Sequence, residues 1–232
     1  MSGVILLSAG LDSTVALAEF LHSGEQAVAL TFNYGQRAAK QEIARAEQLA
    51  VYYGIQHVKI DLPFLAAVTH TALVNPAEDV PLVSSDELDQ ILSVTLGTAE
   101  KVWVPNRNGL FINIAAAYAE SLGYGYVVAG FNAEEAVTFP DNSPQFVAAT
   151  NQALGLSTLN QVQVISPTQN LNKMEIVEHG AKLQIPWHLI WSCYHGATTM
   201  CGECESCQRL KRALSAQGYL TQLDRLFPAN ET

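Results

Sequence analysis

Val4-Ile5-Leu6-Leu7-Ser8-Ala9-Gly10-Leu11-Asp12-Ser13 is the stretch on which the fold turns. Val4 to Leu7 is an unbroken apolar run, the form of a strand covered on both faces; a strand with one wet face would alternate. Ser8-Ala9-Gly10 then makes a tight turn. From Ser13 to His22, Val15, Leu17, Ala18 and Leu21 give a helical pattern, and Gly24 is placed to stop it. The loop itself can cradle an anion. Its small residues let backbone N–H groups approach, Ser8 and Ser13 add hydroxyls, and the helix N-terminus adds the positive end of its dipole. The closing Gly-Lys-Ser/Thr of the Walker pattern is absent. Taken alone, the loop reads equally well as an ordinary strand-to-helix turn capped by Ser13 or Asp12.

Working outward, the alternation continues. Val28 to Phe32 is a second strand, Gln36 to Tyr53 a long helix ended by Gly54, and His57 to Ile60 a third strand. After an interruption come a helix at Leu110 to Ser121, a strand at Tyr126 to Ala129, a helix at Pro144 to Leu154, a strand at Val162 to Ile165 and a helix at Lys173 to Leu183. The pattern predicts an α/β fold with a doubly wound parallel sheet. Ligands on such sheets sit beyond the carboxyl ends of the strands, where the strand order reverses. The informative loops are therefore Ser8 to Ser13, Asn33 to Arg37, Gly130 to Asn142 and Ser166 to Lys173. The interruption, residues 62–101, carries Pro63, Pro76, Pro81 and an acidic patch at Asp86, Glu87 and Asp89. It reads as an insertion or lid over the site rather than a separate domain.

Composition bounds the function. In 232 residues, 49% are hydrophobic and only 15% charged, enough for a large core; the formal net charge is −10. An acidic chain is a poor partner for nucleic acid, because phosphate neutralisation needs clustered Lys and Arg. Arg209, Lys211 and Arg212 form the one basic cluster and are too few to track a duplex. The N-terminus lacks a basic region ahead of its apolar run, and no stretch reaches membrane-spanning length. A cytoplasmic location with no membrane partner is expected, which disfavours disulfides.

The four cysteines, Cys193, Cys201, Cys204 and Cys207, follow C-x7-C-x2-C-x2-C. Thiolates this close in sequence suit one tetrahedral Zn2+, with four unrelated buried thiols as the plain alternative. Such a site is closed and structural. It would staple residues 191–232, including a helix near Ser206 to Gln217, onto the ATP-binding domain at 1–190. His195 is then a bystander near the metal. A four-thiolate site also suits iron.

Ser8-Ala9-Gly10-Leu11-Asp12-Ser13 resembles the SGGxDS signature of the PP-loop ATP pyrophosphatases, which split ATP between its α- and β-phosphates. Ala9 replaces the first glycine of the pair, a change tolerable if its φ stays negative. The resemblance implies that residues 8 to 13 bind ATP, with Leu11 inside the loop. Ser8, Gly10 and Ser13 would hold phosphate oxygens, and Asp12 would lie near the Mg2+-bound pyrophosphate. Joined to the cysteine pattern, the chain resembles the 7-cyano-7-deazaguanine (preQ0) synthase family along nearly its whole length. The matching strings are Asn33-Tyr34-Gly35-Gln36-Arg37, Val104-Pro105-Asn106-Arg107-Asn108, Gly130-Phe131-Asn132, Pro140-Asp141, Leu171-Asn172-Lys173-Met174-Glu175-Ile176 and Ser192-Cys193-Tyr194.

That family converts 7-carboxy-7-deazaguanine and ammonia to the nitrile, at the expense of ATP, through an adenylated acid and an amide. The resemblance implies catalytic roles for Asp12, Arg107 and Lys173. It implies substrate contacts from Tyr34, Gln36, Arg37, Asn108, Asn132, Glu135 and Asp141, and a homodimer. Plain alternatives stand beside these: a surface salt bridge for Arg107, and helix-start polar residues for Gln36 and Arg37. Lys173 at a helix N-terminus opposes the dipole, which favours a functional reason. The segment after Asn132 departs from the family. Phe139 stands where a Tyr is common and Asn142-Ser143 where Cys-Arg is common, so a carboxylate partner is lost. A member passing a related acid to another amine is one alternative. Others are a tRNA-modifying sulfur-transfer enzyme and a non-catalytic nucleotide-binding module.

Overall fold

A computed structural model of the chain describes residues 1–83, 88 and 100–228. Its centre is a five-stranded sheet of β1 (Ser2–Leu6), β2 (Gln26–Asn33), β3 (Gln56–Asp61), β4 (Tyr126–Val128) and β5 (Gln163–Ile165), in the order β3-β2-β1-β4-β5. Every pairing is parallel. The chain winds outward from β1 to β3, then returns to the other side of β1, so the order reverses between β1 and β4. The alternation expected from the sequence is thus present, as a doubly wound sheet.

The apolar run of β1 serves two layers. Val4 packs with Val28, Leu30 and Ile112 on the face covered by α4 (Arg107–Ser121). Ile5 packs with Leu17, Ala29 and Leu49 on the face covered by α1 (Leu11–His22) and α2 (Ala39–Tyr53). All of these side chains are buried, which is why neither face of the strand alternates with polar residues. The remaining helices are α3 (Pro63–Ala67), α5 (Ala133–Thr138), α6 (Pro144–Ser157), α7 (Lys173–Lys182), α8 (Glu205–Ala216) and α9 (Leu220–Leu226). A third cluster joins Leu11, Val15 and Ala18 of α1 to Ile176 and Val177 of α7, to Cys193, Cys204 and Cys207, and to Leu210 and Leu214 of α8. The C-terminal segment therefore packs against α1 and α7, behind the first loop.

Local boundaries differ from the sequence pattern for physical reasons. Helix α1 starts at Leu11, two residues before Ser13, because extended Gly10 (φ −66°, ψ 163°) is its N-cap and no side chain caps it. Helix α2 starts at Ala39 rather than Gln36. The Gln36 side chain instead folds under the turn, accepting from Tyr34 N and donating to Phe32 O. Ala9 corrects an expectation: its φ is +62°, not negative. A left-handed L-residue costs about 1–2 kcal/mol. Here the carbonyl of Ala9 accepts from Trp191 N at 2.9 Å, and the residue is fully buried, so packing holds it in place.

The described part of the 62–101 insertion is tied down at two places. Arg37 donates from Nη2 to the carbonyls of Asn75 (2.6 Å) and Glu78, and its backbone N bonds Leu73 O. Leu82 forms an antiparallel bridge to Cys204, and Glu205 N donates to Pro81 O. The acidic patch at Asp86, Glu87 and Asp89 lies outside the described residues.

Gly130, just after β4, shows how tightly the reversal point is built. A Cβ there would lie 2.6 Å from Ser13 N and 2.8 Å from Asp12 C, both backbone atoms. Gly130→Ala should therefore push β4 from the first loop and cost about 1–3 kcal/mol. A urea denaturation midpoint equal to that of the unaltered protein would refute this packing.

Candidate active site

One cleft of about 310 Å3 opens at the carboxyl ends of β1, β2 and β4, within the usual size range of ligand sites. Ser8, Gly10, Leu11, Asp12 and Ser13 line it, as do Tyr34, Gln36, Arg107, Asn108, Glu135, Asp141 and Lys173. Residues separated by up to 165 positions are thus brought together. Three of the expected residues face elsewhere. Ala9 is buried beneath the loop. Arg37 points to the insertion, as above. Asn132 is fully buried and supports its neighbours: its side chain accepts from Glu135 N at 2.9 Å, capping α5, and donates to Asp12 Oδ2 at 3.2 Å.

The first loop has cradle geometry. The N–H groups of Leu11, Asp12 and Ser13, in the first turn of α1, have no acceptor within the helix. The Ser8 and Ser13 hydroxyls meet at 3.1 Å, Ser13 Oγ donates to Gly10 O, and Ser8 Oγ accepts from Gly10 N. These bonds satisfy the hydroxyls locally and leave them able to rotate toward an anion.

Beside the cradle stands an ion cluster. Lys173 Nζ is 2.5 Å from Asp12 Oδ2 and 3.4 Å from Glu135 Oε1. Burial disfavours the ammonium, but the attraction of Asp12 and Glu135 outweighs it and holds the Lys173 pKa above its ordinary value. Burial also acts against the Glu135 carboxylate, yet Lys173 and the Asn132 bond bring its pKa below the usual range. Desolvation by burial raises the pKa of Asp12 against the pull of Lys173. The other oxygen, Asp12 Oδ1, is buried with no hydrogen-bond partner among the described residues. Such an orphaned acceptor on the cleft wall fits a divalent cation.

A second cluster occupies the opposite side. Arg107 Nη1 donates to Tyr34 Oη at 3.3 Å, and the guanidinium lies 5.8 Å from the Tyr34 ring centre. Burial lowers the Arg107 pKa, but Tyr34, Asp141 and Glu42 outweigh it and raise it overall. Glu42 accepts from Gln36 Nε2 at 2.8 Å, while burial pushes its carboxyl up. Asp141 is also pushed up by burial, against the pull of Arg107. Trp103 and Phe139, both on the cleft wall, lie nearly parallel (7°) with ring centres 6.2 Å apart.

Sequence reasoning missed the C-terminal share of this site. Ser192, Tyr194, Glu205 and Arg209 line the cleft, so Arg209 belongs to its wall. The spacing Glu205-x3-Arg209, which straddles Cys207, is the helical ion-pair signature that could have flagged it. Ser143 caps α6 by accepting from Phe146 N.

The four cysteine Sγ atoms lie within 4.8 Å of one another. Cys193 and Cys201 are 3.5 Å apart, and Cys201 and Cys207 3.9 Å. Zinc–sulfur bonds of about 2.3 Å in a tetrahedron place sulfurs about 3.8 Å apart, so the set fits. Backbone N–H groups of His195 and Cys201 point at Cys193 Sγ, and those of Glu203 and Cys204 at Cys201 Sγ, each at 3.3–3.4 Å. Hydrogen bonds from the Cys204 and Cys207 thiols hold Cys193 far below the ordinary thiol pKa and push those two up. A divalent cation would draw the thiolate from all four. None of the four lines the cleft. Cys204→Ser should lose the bound metal and several degrees of thermal stability. Full metal content by elemental analysis with an unchanged melting temperature would show that the ligand set is wrong.

Comparison with known proteins places the chain in a family. Residues 2–218 match the family described as queuosine biosynthesis protein QueC. A 7-cyano-7-deazaguanine synthase of Desulforamulus reducens is 56% identical over 218 residues, covering 94% of this chain and 95% of the relative. One from Carboxydothermus hydrogenoformans is 57% identical over 210 residues, covering 90% and 96%. Among solved structures, a 4-thiouridine synthetase–RNA complex with bound ATP is 17% identical with a TM-score of 0.49. It covers 98% of this chain and 53% of that one, a likeness too distant to bear on function.

Proposed function

The chain belongs to the QueC family of queuosine biosynthesis proteins, and from that membership we propose that it is an ATP-dependent 7-cyano-7-deazaguanine synthase. The carboxylate of 7-carboxy-7-deazaguanine attacks the α-phosphate of ATP, forming an acyl-adenylate and releasing pyrophosphate. Ammonia displaces AMP to give the amide. The amide oxygen then attacks the α-phosphate of a second ATP, releasing pyrophosphate and a proton, and elimination of AMP with the second N–H proton leaves the nitrile. A poor electrophile is activated twice in one site.

The observation that carries this reading is the orphaned Asp12 Oδ1 beside the helix N-terminus and Lys173. It sets a cation site and an anion cradle within one loop. First-turn amides of α1 bind phosphate oxygens, and the Ser8 and Ser13 hydroxyls turn from each other toward them. Lys173 is held charged beside Asp12 and stabilises the charge that develops as pyrophosphate leaves. Arg107, kept protonated by Tyr34, Glu42 and Asp141, stands on the opposite wall with Asn108 and orients the acid. The flat ring fits beside Trp103 and Phe139. Magnesium, held through Asp12, supplies charge neutralisation to the triphosphate when bound. Zinc in the cysteine site holds the C-terminal segment. A homodimeric state and a cytoplasmic location belong to the same reading. Among the described residues no helix is long and apolar enough to cross a membrane.

Sulfur transfer to tRNA fits less well. It needs a reactive cysteine at the substrate, and all four here are gathered outside the cleft.

Two experiments test the proposal. Incubation with ATP, ammonia and 7-carboxy-7-deazaguanine should yield the amide and then the nitrile by mass spectrometry; release of AMP and pyrophosphate without either product would point to another acceptor. Asp12→Asn, which retains the shape but not the charge, should lower pyrophosphate release by at least about 100-fold with the fold intact by circular dichroism. Retained turnover would remove the cation site from that loop.

A further inference from the structure

We propose that Arg209 is a positioning residue which, through Glu134, carries the position of the four-cysteine loop to Lys173. Arg209 sits on α8, whose N-cap is Cys204 and whose first turn holds Cys207. Its guanidinium is fixed in plane by two bonds to Glu205 Oε1, from Nε at 3.1 Å and Nη2 at 2.8 Å. The remaining nitrogen, Nη1, lies 3.6 Å from Glu134 Oε2 on α5. The other oxygen of that carboxylate, Glu134 Oε1, accepts from the backbone N of Lys173 at 2.8 Å. Lys173 opens α7 and sends its ammonium to Asp12. A continuous polar path thus runs from the cysteine loop to the cation beside the cradle.

The electrostatics favour positioning over substrate binding. Two carboxylates already neutralise Arg209, so it makes a weak hook for an incoming anion. The side chains of Glu205 and Arg209 are only 10% and 19% exposed. Ion pairs this buried add little net stability, and fixing geometry is their better-attested use. Both oxygens of Glu134 are occupied by the path itself, so Glu134 is its hub. A displacement of about an ångström at Lys173 is enough to cost orders of magnitude in rate.

The inference rests on the synthase reading for the reaction used, and the test separates the two. Activity of the unaltered protein tests the reaction; the ratios of variants to it, on zinc-loaded protein, test the path. Arg209→Gln should lower kcat about 10- to 100-fold and weaken pyrophosphate binding by calorimetry. Zinc content and melting temperature should stay as in the unaltered protein. Arg209→Lys, which keeps a charge toward Glu134, should recover much of the loss. Glu134→Gln keeps an oxygen for Lys173 N–H but breaks the ion pair. Combined with Arg209→Gln it should be no worse than the poorer single variant, because both cut one path. Additive losses in the double variant would overturn the proposal. So would an unchanged pyrophosphate affinity in Arg209→Gln, or a defect there that follows only lost zinc and lowered melting temperature.

Discussion

The ion pair between Asp12 and Lys173 holds the site together. It spans 161 residues of sequence at 2.5 Å and joins the first turn of α1, after β1, to the first turn of α7, after β5. Asn132, after β4, donates to the same Asp12 oxygen. Three strand ends therefore converge on one carboxylate, and they can do so only because the sheet reverses between β1 and β4. The crevice left by that reversal is narrow: Gly130 already touches the backbone of Asp12 and Ser13. Cradle, cation and capping amide are thus set by backbone proximity before any side chain chooses a rotamer.

What the sequence made legible follows from how local each signal is. The apolar run of β1 and the cysteine spacing need no distant partner to be read, and both lie where expected. Lys173 was marked by a local conflict, a cation at the positive end of a helix, which Asp12 and Glu135 resolve. The residues that went unread depend on partners far along the chain. Ala9 adopts φ +62° because its carbonyl is taken by Trp191, 182 residues later. Arg37 follows a conspicuous turn, yet its acceptors are carbonyls of the insertion. Arg209 was read only as part of a small basic cluster, because Glu134, its partner on α5, lies 75 residues away.

The C-terminal segment is more than an appendage. Trp191 pins the carbonyl of Ala9, Ser192 and Tyr194 face the cleft, and Cys193 sits between them as a metal ligand candidate. The loop at Cys204 also bridges to Leu82 in the insertion. One closed cysteine cluster can therefore set the back of the cradle, one wall of the cleft and an edge of the insertion together. That explains how a site far from the reacting atoms in sequence can matter to their geometry.

A last feature concerns charge. Among the described residues, six carboxylates line the cleft, from Asp12, Glu42, Glu134, Glu135, Asp141 and Glu205, against three cations, Arg107, Lys173 and Arg209. An acidic wall is at first sight a poor place for a triphosphate and an acid. Yet each cation is already paired, so its orientation is fixed before substrate arrives and costs no reorganisation in the transition state. The same pairing lowers the attraction for stray anions. On the proposed reading, selectivity would fall to ligands that bring their own cation, as a nucleoside triphosphate does, with Asp12 Oδ1 the candidate oxygen for that cation.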